Sequence, residues 1–141
     1  MTVEAGNEAV ADDEIVFRRI SDASGWYDPA SDRPLAWLAF RPSRRDVDGI
    51  SVWRSKFKTA REVAAIGASH GKRYFVVSLR VQRLRVAGVV VKASPELGGV
   101  GHASLTNLST EDYTKNKDRV REMAEVIVRQ LVENIDGPFG S

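Results

Sequence analysis

The sequence predicts a single α+β domain, with a small mixed sheet of about five strands and two main helices, the longer one C-terminal. Three observations support this fold class. A chain of 141 residues suits one domain. Short runs of β-branched and aromatic residues recur between turn-forming residues, which is typical of strands. Two segments carry apolar residues at spacings of three and four, and they do not alternate regularly with the strands as a doubly wound sheet requires.

Five short segments have the composition of strands. They are residues 14–20, 50–55, 73–81, 89–94 and 102–106. The segment 82–88 is either a helical turn that ends at Gly88, with Val81 and Leu84 facing inward, or a bulge within one long bent strand.

Three further segments have less regular patterns. The run LAWLAF at 35–40 is apolar but too short to separate a strand from a helix. Trp26 and Tyr27 lie in a polar loop, where they either anchor the loop to the core or form an exposed stacking surface. Residues 95–101 are rich in glycine, which predicts a mobile loop.

The first helix has clear boundary signals. Thr59 and Glu62 have the spacing of a capping box, and Gly71 suits a left-handed helix end, so a helix is predicted over 60–70. His70 would lie in its last turn, where the helix dipole favours a cation. A structural role is therefore favoured for His70 over a catalytic one.

The last helix has the strongest periodicity in the chain. Ser109 or Thr110 is predicted to cap it, and Gly137 and Pro138 to end it. Apolar residues recur along it at spacings of three or four: Val120, Met123, Ala124, Ile127, Leu131 and Ile135.

The single domain is expected to span residues 13–136, with flexible tails at 1–12 and 137–141. No apolar run approaches the roughly 18 residues of a membrane span, and the acidic N-terminus does not resemble a secretory signal. A cytoplasmic protein without a membrane partner is therefore expected.

The chain has no cysteine and two histidines, so disulfides, thiolate zinc sites and cysteine nucleophiles are excluded, and neither a metal nor another cofactor is predicted.

Basic side chains cluster in the segment between residues 41 and 61, although the net charge is only +2. The segment contains seven bases: Arg41, Arg44, Arg45, Arg54, Lys56, Lys58 and Arg61. Such a cluster attracts phosphate or an acidic partner, and Trp53 or Trp26 could stack a nucleic-acid base. The alternative interpretation is a solvated face, or salt bridges to the acidic N-terminal segment. No named nucleic-acid motif is present.

His102 lies on the predicted strand 102–106. Residues two apart on a strand share a face, so His102, Ser104 and Thr106 should line up while Ala103 and Leu105 face the core. A histidine beside a hydroxyl suits acid–base chemistry or a phosphate contact. The alternative is a histidine hydrogen-bonded at a sheet edge. The sequence contains no nucleophile elbow, P-loop, HExxH or dinucleotide GxGxxG motif.

Five segments in order resemble a set of small, uncharacterised bacterial proteins. These segments are FRRI, ISVWR, TAREVAAIG, VSLRVQRLRVAGVVVKASP and GHASLTNL, the last leading into a helix that contains Lys and Ala. The resemblance covers about residues 15 to 130. It implies one coherent domain with no assigned activity, and it favours the helical turn over the bulge at 82–88.

The arginine on the first strand, the serine on the second and the helix that follows are also similar to ADP-ribosyltransferase-type domains, which bind NAD. This likeness implies that Arg18 or Arg19 holds the dinucleotide and that Ser51 shapes the nicotinamide pocket. Such domains usually carry a catalytic glutamate on a late strand. The late strand here is HASLT, which contains no acid, and Glu96 lies in the loop before it.

Three functions are consistent with these patterns. The favoured one is a binding or regulatory domain that recognises a protein partner or a phosphate-rich ligand. Its predicted contacts are Arg44, Arg45, Arg54, Lys56, Trp53 and Ser104. The first alternative is a small enzyme acting on NAD or nucleotides. Its predicted catalytic residues are His102, Ser51, Arg18 and Arg19. The second alternative is a nucleic-acid-binding domain. All three require the imidazole, the early arginines and the basic segment to converge on one concave surface.

Overall fold

A computed structural model describes residues 6–67 and 71–140. The strands are β1 Ile15–Ser21, β2 Ile50–Arg54, β3 Arg73–Arg80, β4 Val91–Ala93, β5 His102–Leu105 and β6 Val132–Gly140. The helices are α1 Ala60–Ala65, α2 Val81–Val86, α3 Pro95–Gly98, α4 Thr110–Lys115 and α5 Lys117–Val126. The strands form one sheet in the order β4-β5-β2-β1-β3-β6, and every neighbouring pair is antiparallel. The α+β class is confirmed, but the sheet has six strands rather than five and is antiparallel rather than mixed.

The sixth strand occupies a segment that was predicted to be helical. The predicted C-terminal helix is interrupted at Asn116, whose side chain caps α5, and it ends after a π-helical turn at Ile127–Leu131. Residues beyond it pair with β3, in which Val76, Val77 and Leu79 are buried. Without β6, this apolar strand would have an unpaired backbone edge. The longest helix still lies toward the C-terminal end, as predicted.

Near both ends of the chain, the described residues pack against the rest of the domain. Phe139 pairs with Tyr74 and Gly140 with Arg73, so the prediction of a flexible tail at 137–141 is wrong as far as residue 140. At the other end, Val10 is only 4% exposed and belongs to the hydrophobic core. The prediction of a flexible tail at 1–12 is therefore wrong from residue 6 onward. Residues 1–5 and 141 lie outside the described part of the chain.

The two faces of the sheet are covered differently. The core face carries Val16, Val52 and Leu105, none of them exposed, and these residues share one hydrophobic cluster with Val120 and Ala124 of α5. On the opposite face, here called the outer face, α1 packs against β1, β3 and β6, and α3 packs against β5. The central strand β2 is therefore flanked on its outer face by two short helices.

The short connecting segments resolve the open alternatives. Residues 82–88 form a helical turn, with Val81 and Leu84 fully buried, so the turn is confirmed and the bulge is not. The run at 35–40 contains a 3-10 turn at Trp37–Phe40. Trp26 and Tyr27 pack against the core, which confirms that they anchor their loop. Residues 95–101 were predicted to be a loop throughout, but they begin with α3.

Helix α1 is shorter than predicted. Its capping box between Thr59 and Glu62 is confirmed, but the helix ends at Ala65 rather than continuing to residue 70. The chain turns away because Ile66 adopts an extended conformation and Gly67 has a φ of 59°, in the left-handed region that glycine tolerates. His70 lies outside the described residues, so its predicted role stays a prediction.

Candidate functional site

The pairing of β2 with β5 brings several of the predicted site residues together. Trp53 lies opposite His102, and Ser51 lies opposite Ser104. Because alternate residues of a strand share a face, all four side chains lie on the outer face. Ala103 and Leu105 belong to the core cluster on the other side, as predicted.

His102 is the centre of a hydrogen-bonded chain of side chains. Its Nε2 lies 2.9 Å from Ser51 Oγ, and its Nδ1 lies 2.8 Å from Ser94 Oγ. Ser94 Oγ in turn lies 2.7 Å from Ser104 Oγ. His102, Ser94 and Ser104 are all buried, whereas Ser51 is half-buried. Ser51 is therefore the member of this chain that is most accessible from solvent.

The backbone of Ser94 favours one of the two neutral tautomers of His102. The Ser94 carbonyl oxygen lies 3.1 Å from Nδ1, and a carbonyl oxygen can only accept a hydrogen bond. This carbonyl favours the neutral tautomer with the hydrogen on Nδ1, in which Nε2 accepts the hydrogen bond from the Ser51 hydroxyl. This is the tautomer that a general base acting on Ser51 needs.

Burial lowers the pKa of His102 below its ordinary value, against the opposing effects of the Ser94 backbone hydrogen bond and the charge of Glu96. Loss of solvent penalises the charged imidazolium more than the neutral ring. His102 is therefore neutral at neutral pH, and in the favoured tautomer the lone pair of Nε2 is directed at Ser51.

The ring of His102 is held by two close neighbours. The Trp53 ring meets it edge to face, with 4.9 Å between ring centroids. On α3, a Cβ atom added to Gly98 would lie 2.6 Å from Cδ2 of His102. Only a glycine at this position lets α3 approach the imidazole so closely. Ser94, at Nδ1, therefore holds the ring from the side opposite Ser51, and Gly98 packs against its Cδ2 edge.

Arg18 reaches Ser51 through the backbone and not through its hydroxyl. Its Nη1 donates to the Ser51 carbonyl oxygen at 3.2 Å, and its Nε donates to the Ala39 carbonyl oxygen at 3.1 Å. Strands β1 and β2 pair at only two positions. The Arg18 guanidinium forms its hydrogen bond to β2 just beyond those two positions. Burial lowers the pKa of Arg18, with the carboxylate of Asp46 opposing that effect. Arg18 shares the core face with Val16, so it lies on the opposite side of the sheet from the Ser51 hydroxyl.

Arg19, in contrast, lies on the outer face. Its Nη1 donates to the carbonyl oxygen of Ile66, just after α1, and its guanidinium stacks 4.3 Å from the centroid of the Tyr74 ring. It therefore stabilises the end of α1 beside β1. It also adds positive charge to the face that carries Ser51.

Between α1 and α3 lies a partly exposed strip of the sheet, here called the β2 strip and formed by Phe17, Ser51 and Trp53. All three residues are half-buried. The ammonium of Lys58 lies 5.8 Å from the Trp53 ring. The strip therefore offers two aromatic surfaces and a nearby cation next to the Ser51 hydroxyl.

The basic segment does not form one continuous surface. Arg54 is not exposed at all, and its five N–H donors bond to Glu14 and to the carbonyl oxygens of Gly6, Glu8 and Ala9. In this arrangement Arg54 has no donor left for an external ligand, which corrects its place among the predicted contacts. Lys56 pairs with Glu8 at 3.0 Å. For these two bases, the interpretation of salt bridges to the acidic N-terminal segment is correct.

The remaining predicted contacts, Arg44 and Arg45, are exposed. Their loop bonds to the start of α4, where the Thr110 amide donates to the Asp46 carbonyl oxygen at 3.0 Å. This loop leads into Ile50, which pairs with Leu105, whereas His102 pairs with Trp53 at the other end of β2. Ser51 and His102 therefore lie side by side, while the exposed arginines lie toward the far end of the strand pair. The predicted convergence of the imidazole, the early arginines and the basic segment on one surface is wrong, because Arg18 lies on the core face and Arg54 is buried.

Ser94, which completes the network, was not among the predicted site residues. Ser94 ended the predicted strand 89–94, but the sequence does not show that this strand pairs with the strand of His102, where the Ser94 amide donates to the His102 carbonyl oxygen at 2.9 Å. The sequence signal was limited to a polar residue before Pro95, which suits a helix start.

Within residues 6–67 and 71–140, no group of three or more metal-ligating side chains is placed to hold an ion. None of the helices in those two ranges is long and apolar enough to cross a bilayer.

No protein-family model, curated protein or solved structure matches this chain.

Proposed function

We propose that the chain is a small enzyme in which Ser51 is the nucleophile and His102 the general base. One observation carries this proposal: Nε2 of a buried, neutral imidazole lies 2.9 Å from the hydroxyl oxygen of the half-buried Ser51. A serine hydroxyl is a weak nucleophile until an adjacent base accepts its proton. The Ser94 carbonyl holds Nδ1 in the role that a carboxylate has in the Ser-His-Asp triad.

The reaction this arrangement suits is acyl or phosphoryl transfer to water. Ser51 Oγ would attack the electrophilic carbon or phosphorus while its proton passes to Nε2. The bond to the leaving group would break, and that group would take the proton from Nε2. A water molecule would then give its proton to Nε2 and attack the covalent intermediate. Release of the second product with return of that proton to Ser51 completes the cycle.

The surroundings of Ser51 support an anionic substrate with a planar group. Lys58 and Arg19 supply positive charge on the outer face, and the half-buried rings of Trp53 and Phe17 suit stacking. Nucleotides and NAD, which the likeness to ADP-ribosyltransferases implies, belong to this class. In this proposal Arg18 is a positioning residue, because it holds the backbone of Ser51 from the opposite face.

The proposal is tested with a fluorophosphonate probe, which reacts covalently with activated serines. We expect labelling at Ser51, located by peptide mass spectrometry. Ser51→Ala and His102→Gln should each remove the labelling, the second because no base remains to accept the proton. Ser55→Ala removes a nearby serine outside the network and should label like the wild-type protein.

Two results would overturn the enzyme proposal. One is a folded wild-type protein that is not labelled at Ser51. The other is labelling that persists at the wild-type rate in His102→Gln, because the imidazole would then have no part in activating Ser51.

A second candidate function is recognition of a phosphate-rich ligand or a protein partner by the loop at 41–49. The observation that favours it is the exposure of Arg41, Arg44 and Arg45 beside Val47, which is 68% exposed. Three exposed arginines within five residues place positive charge where an anionic ligand can reach it.

The loop is tested with inorganic polyphosphate and with single-stranded DNA as probes. Arg44→Glu with Arg45→Glu should weaken binding and reduce its salt dependence, with circular dichroism unchanged. The control replaces two exposed bases elsewhere, Lys72→Glu with Arg119→Glu. Equal losses in both double variants would indicate only net charge and would exclude a dedicated loop surface.

A further inference from the structure

A cavity of about 480 Å³ lies between the loop at 32–37 and one side of α5. This volume is within the range of small-molecule sites, roughly 300–1,000 Å³. Helix α5 packs on the core face of the sheet, as its place in the hydrophobic cluster shows. The cavity is therefore separate from the network of Ser51 and His102, which lies on the outer face.

The cavity has an aromatic wall and a basic rim. Its apolar lining includes Leu35, Trp37 and Val128, of which Leu35 is buried and the other two are half-buried. The guanidinium of Arg121 lies 4.9 Å from the centroid of the Trp37 ring. An arginine stacked in this way keeps its N–H groups free at the edge of its plane, where they can bind an oxyanion with two parallel hydrogen bonds.

The charges lining the cavity favour an anion. Arg129 and Glu125 form an ion pair at 3.0 Å, so these two largely cancel. The other charged lining residues are Arg33, Arg121 and Asp32, two positive charges against one negative. Both arginines are exposed, so a ligand can reach them without displacing the core.

We propose that this cavity binds a small organic anion, a carboxylate or phosphate monoester on an aromatic or aliphatic body. The anionic group would lie against Arg33 and Arg121, and its body would contact Trp37 and Val128. The proposal is independent of the enzyme proposal, because no residue of the cavity belongs to the Ser51 network.

The test is isothermal titration calorimetry with phenyl phosphate, benzoate and the neutral analogue benzamide. We expect both anions to bind at micromolar to millimolar concentration, and benzamide to bind about tenfold more weakly or not at all. Arg121→Met and Arg33→Met should each weaken anion binding about tenfold. Arg119→Met, which replaces an exposed arginine of α5 outside this cavity, should bind like the wild-type protein.

Three results would overturn this site: no heat of binding with either anion at millimolar concentration, equal affinity for benzamide, or unchanged affinity in the Arg33→Met and Arg121→Met variants. The variants replace exposed side chains, and circular dichroism verifies that they fold. Weak binding of phenyl phosphate without binding of benzoate would retain the site and limit it to phosphate monoesters.

Discussion

Nε2 of His102 contacts the Ser51 hydroxyl, whereas Nδ1 contacts both the hydroxyl and the carbonyl oxygen of Ser94. The Ser94 carbonyl can only accept, at 3.1 Å from Nδ1, whereas the Ser51 hydroxyl can donate to Nε2 at 2.9 Å. Protonation of Nε2 would remove the acceptor of the Ser51 hydroxyl and place a charge in a buried position. The folded protein therefore favours the neutral ring.

This preference makes the stability depend on pH. Burial lowers the pKa of His102 in the folded protein below its ordinary value of 6.5, so the unfolded chain binds a proton at higher pH than the folded one does. The contribution to stability is complete above about pH 6.5 and is lost as the pH falls toward the folded pKa. Urea unfolding at a series of pH values should show this loss in the wild-type protein and a flatter profile in His102→Gln. An equal slope in both proteins would contradict it.

Gly98→Ala should disturb the imidazole although the residue is not polar. The new Cβ would lie 2.6 Å from Cδ2 of His102, so the ring or α3 has to shift. We expect a loss of about 1–3 kcal/mol in the free energy of unfolding, as for other overpacked sites, together with slower labelling of Ser51. Wild-type labelling and stability in this variant would mean that α3 does not hold the ring.

At the scale of elements, one buried arginine forms hydrogen bonds to several residues of the N-terminal segment. Arg54 forms a bidentate ion pair with Glu14, with both contacts at 2.8 Å, and its remaining donors bind backbone carbonyl oxygens from Gly6 to Ala9. Desolvation raises the pKa of Glu14, but the hydrogen bonds from Arg54 and from the Ala11 amide outweigh it, so the pKa is lowered overall.

Arg54→Met should cost about 3–5 kcal/mol in the free energy of unfolding, because it leaves the Glu14 carboxylate without its buried partner. Lys56→Met is the matched control, since it breaks the exposed pair with Glu8 and should cost below about 1 kcal/mol. Chemical denaturation of both variants measures the difference. Similar losses in the two variants would show that the segment is not held by Arg54.

The strand and helix patterns predicted elements well where the signal was local. The capping box at Thr59 and the alternation along β2 are examples, because both depend on neighbouring residues only. The C-terminal segment was assigned wrongly for a physical reason. Ile135 continues the helical spacing of α5, yet it also suits a strand, and the unpaired edge of β3 decides between the two. A pairing between residues this far apart in the chain produces no pattern in the local sequence.

At the scale of the whole molecule, the residues up to Gly140 form the edge strand of the sheet. The half-buried Phe139 lies opposite Tyr74, and the guanidinium of Arg61 lies 5.0 Å from its ring. Removal of residues 137–141 should therefore lower the free energy of unfolding by about 1–2 kcal/mol, roughly the value of partly burying one phenylalanine. Phe139→Ala in the full chain should account for most of this loss. Full stability in the shortened chain would show that these residues pack only weakly.

The residues of the site could be predicted to different degrees, because local sequence patterns do not show which residues a long-range pairing brings together. His102 was a candidate because of its residue type and its position on a predicted strand, and Ser51 because of the likeness to ADP-ribosyltransferase-type domains. Arg54 was assigned to a ligand surface because its sequence neighbours are basic, but strand alternation turns its side chain into the interior beside Glu14. Ser94 was missed because the pairing of β4 with β5, which brings it opposite His102, is not visible in the local sequence.

Activation of Ser51 by a neutral His102 is tested most directly by the imidazole nitrogen chemical shifts of the ¹⁵N-labelled protein, with His102→Gln used to assign the signals. We expect Nδ1 to carry the hydrogen, Nε2 to be unprotonated, and the ring to titrate below its ordinary pKa of 6.5. Ser51→Ala should shift the Nε2 resonance. A hydrogen on Nε2 at neutral pH, or a titration midpoint at or above the ordinary value, would contradict the role of His102 as the base.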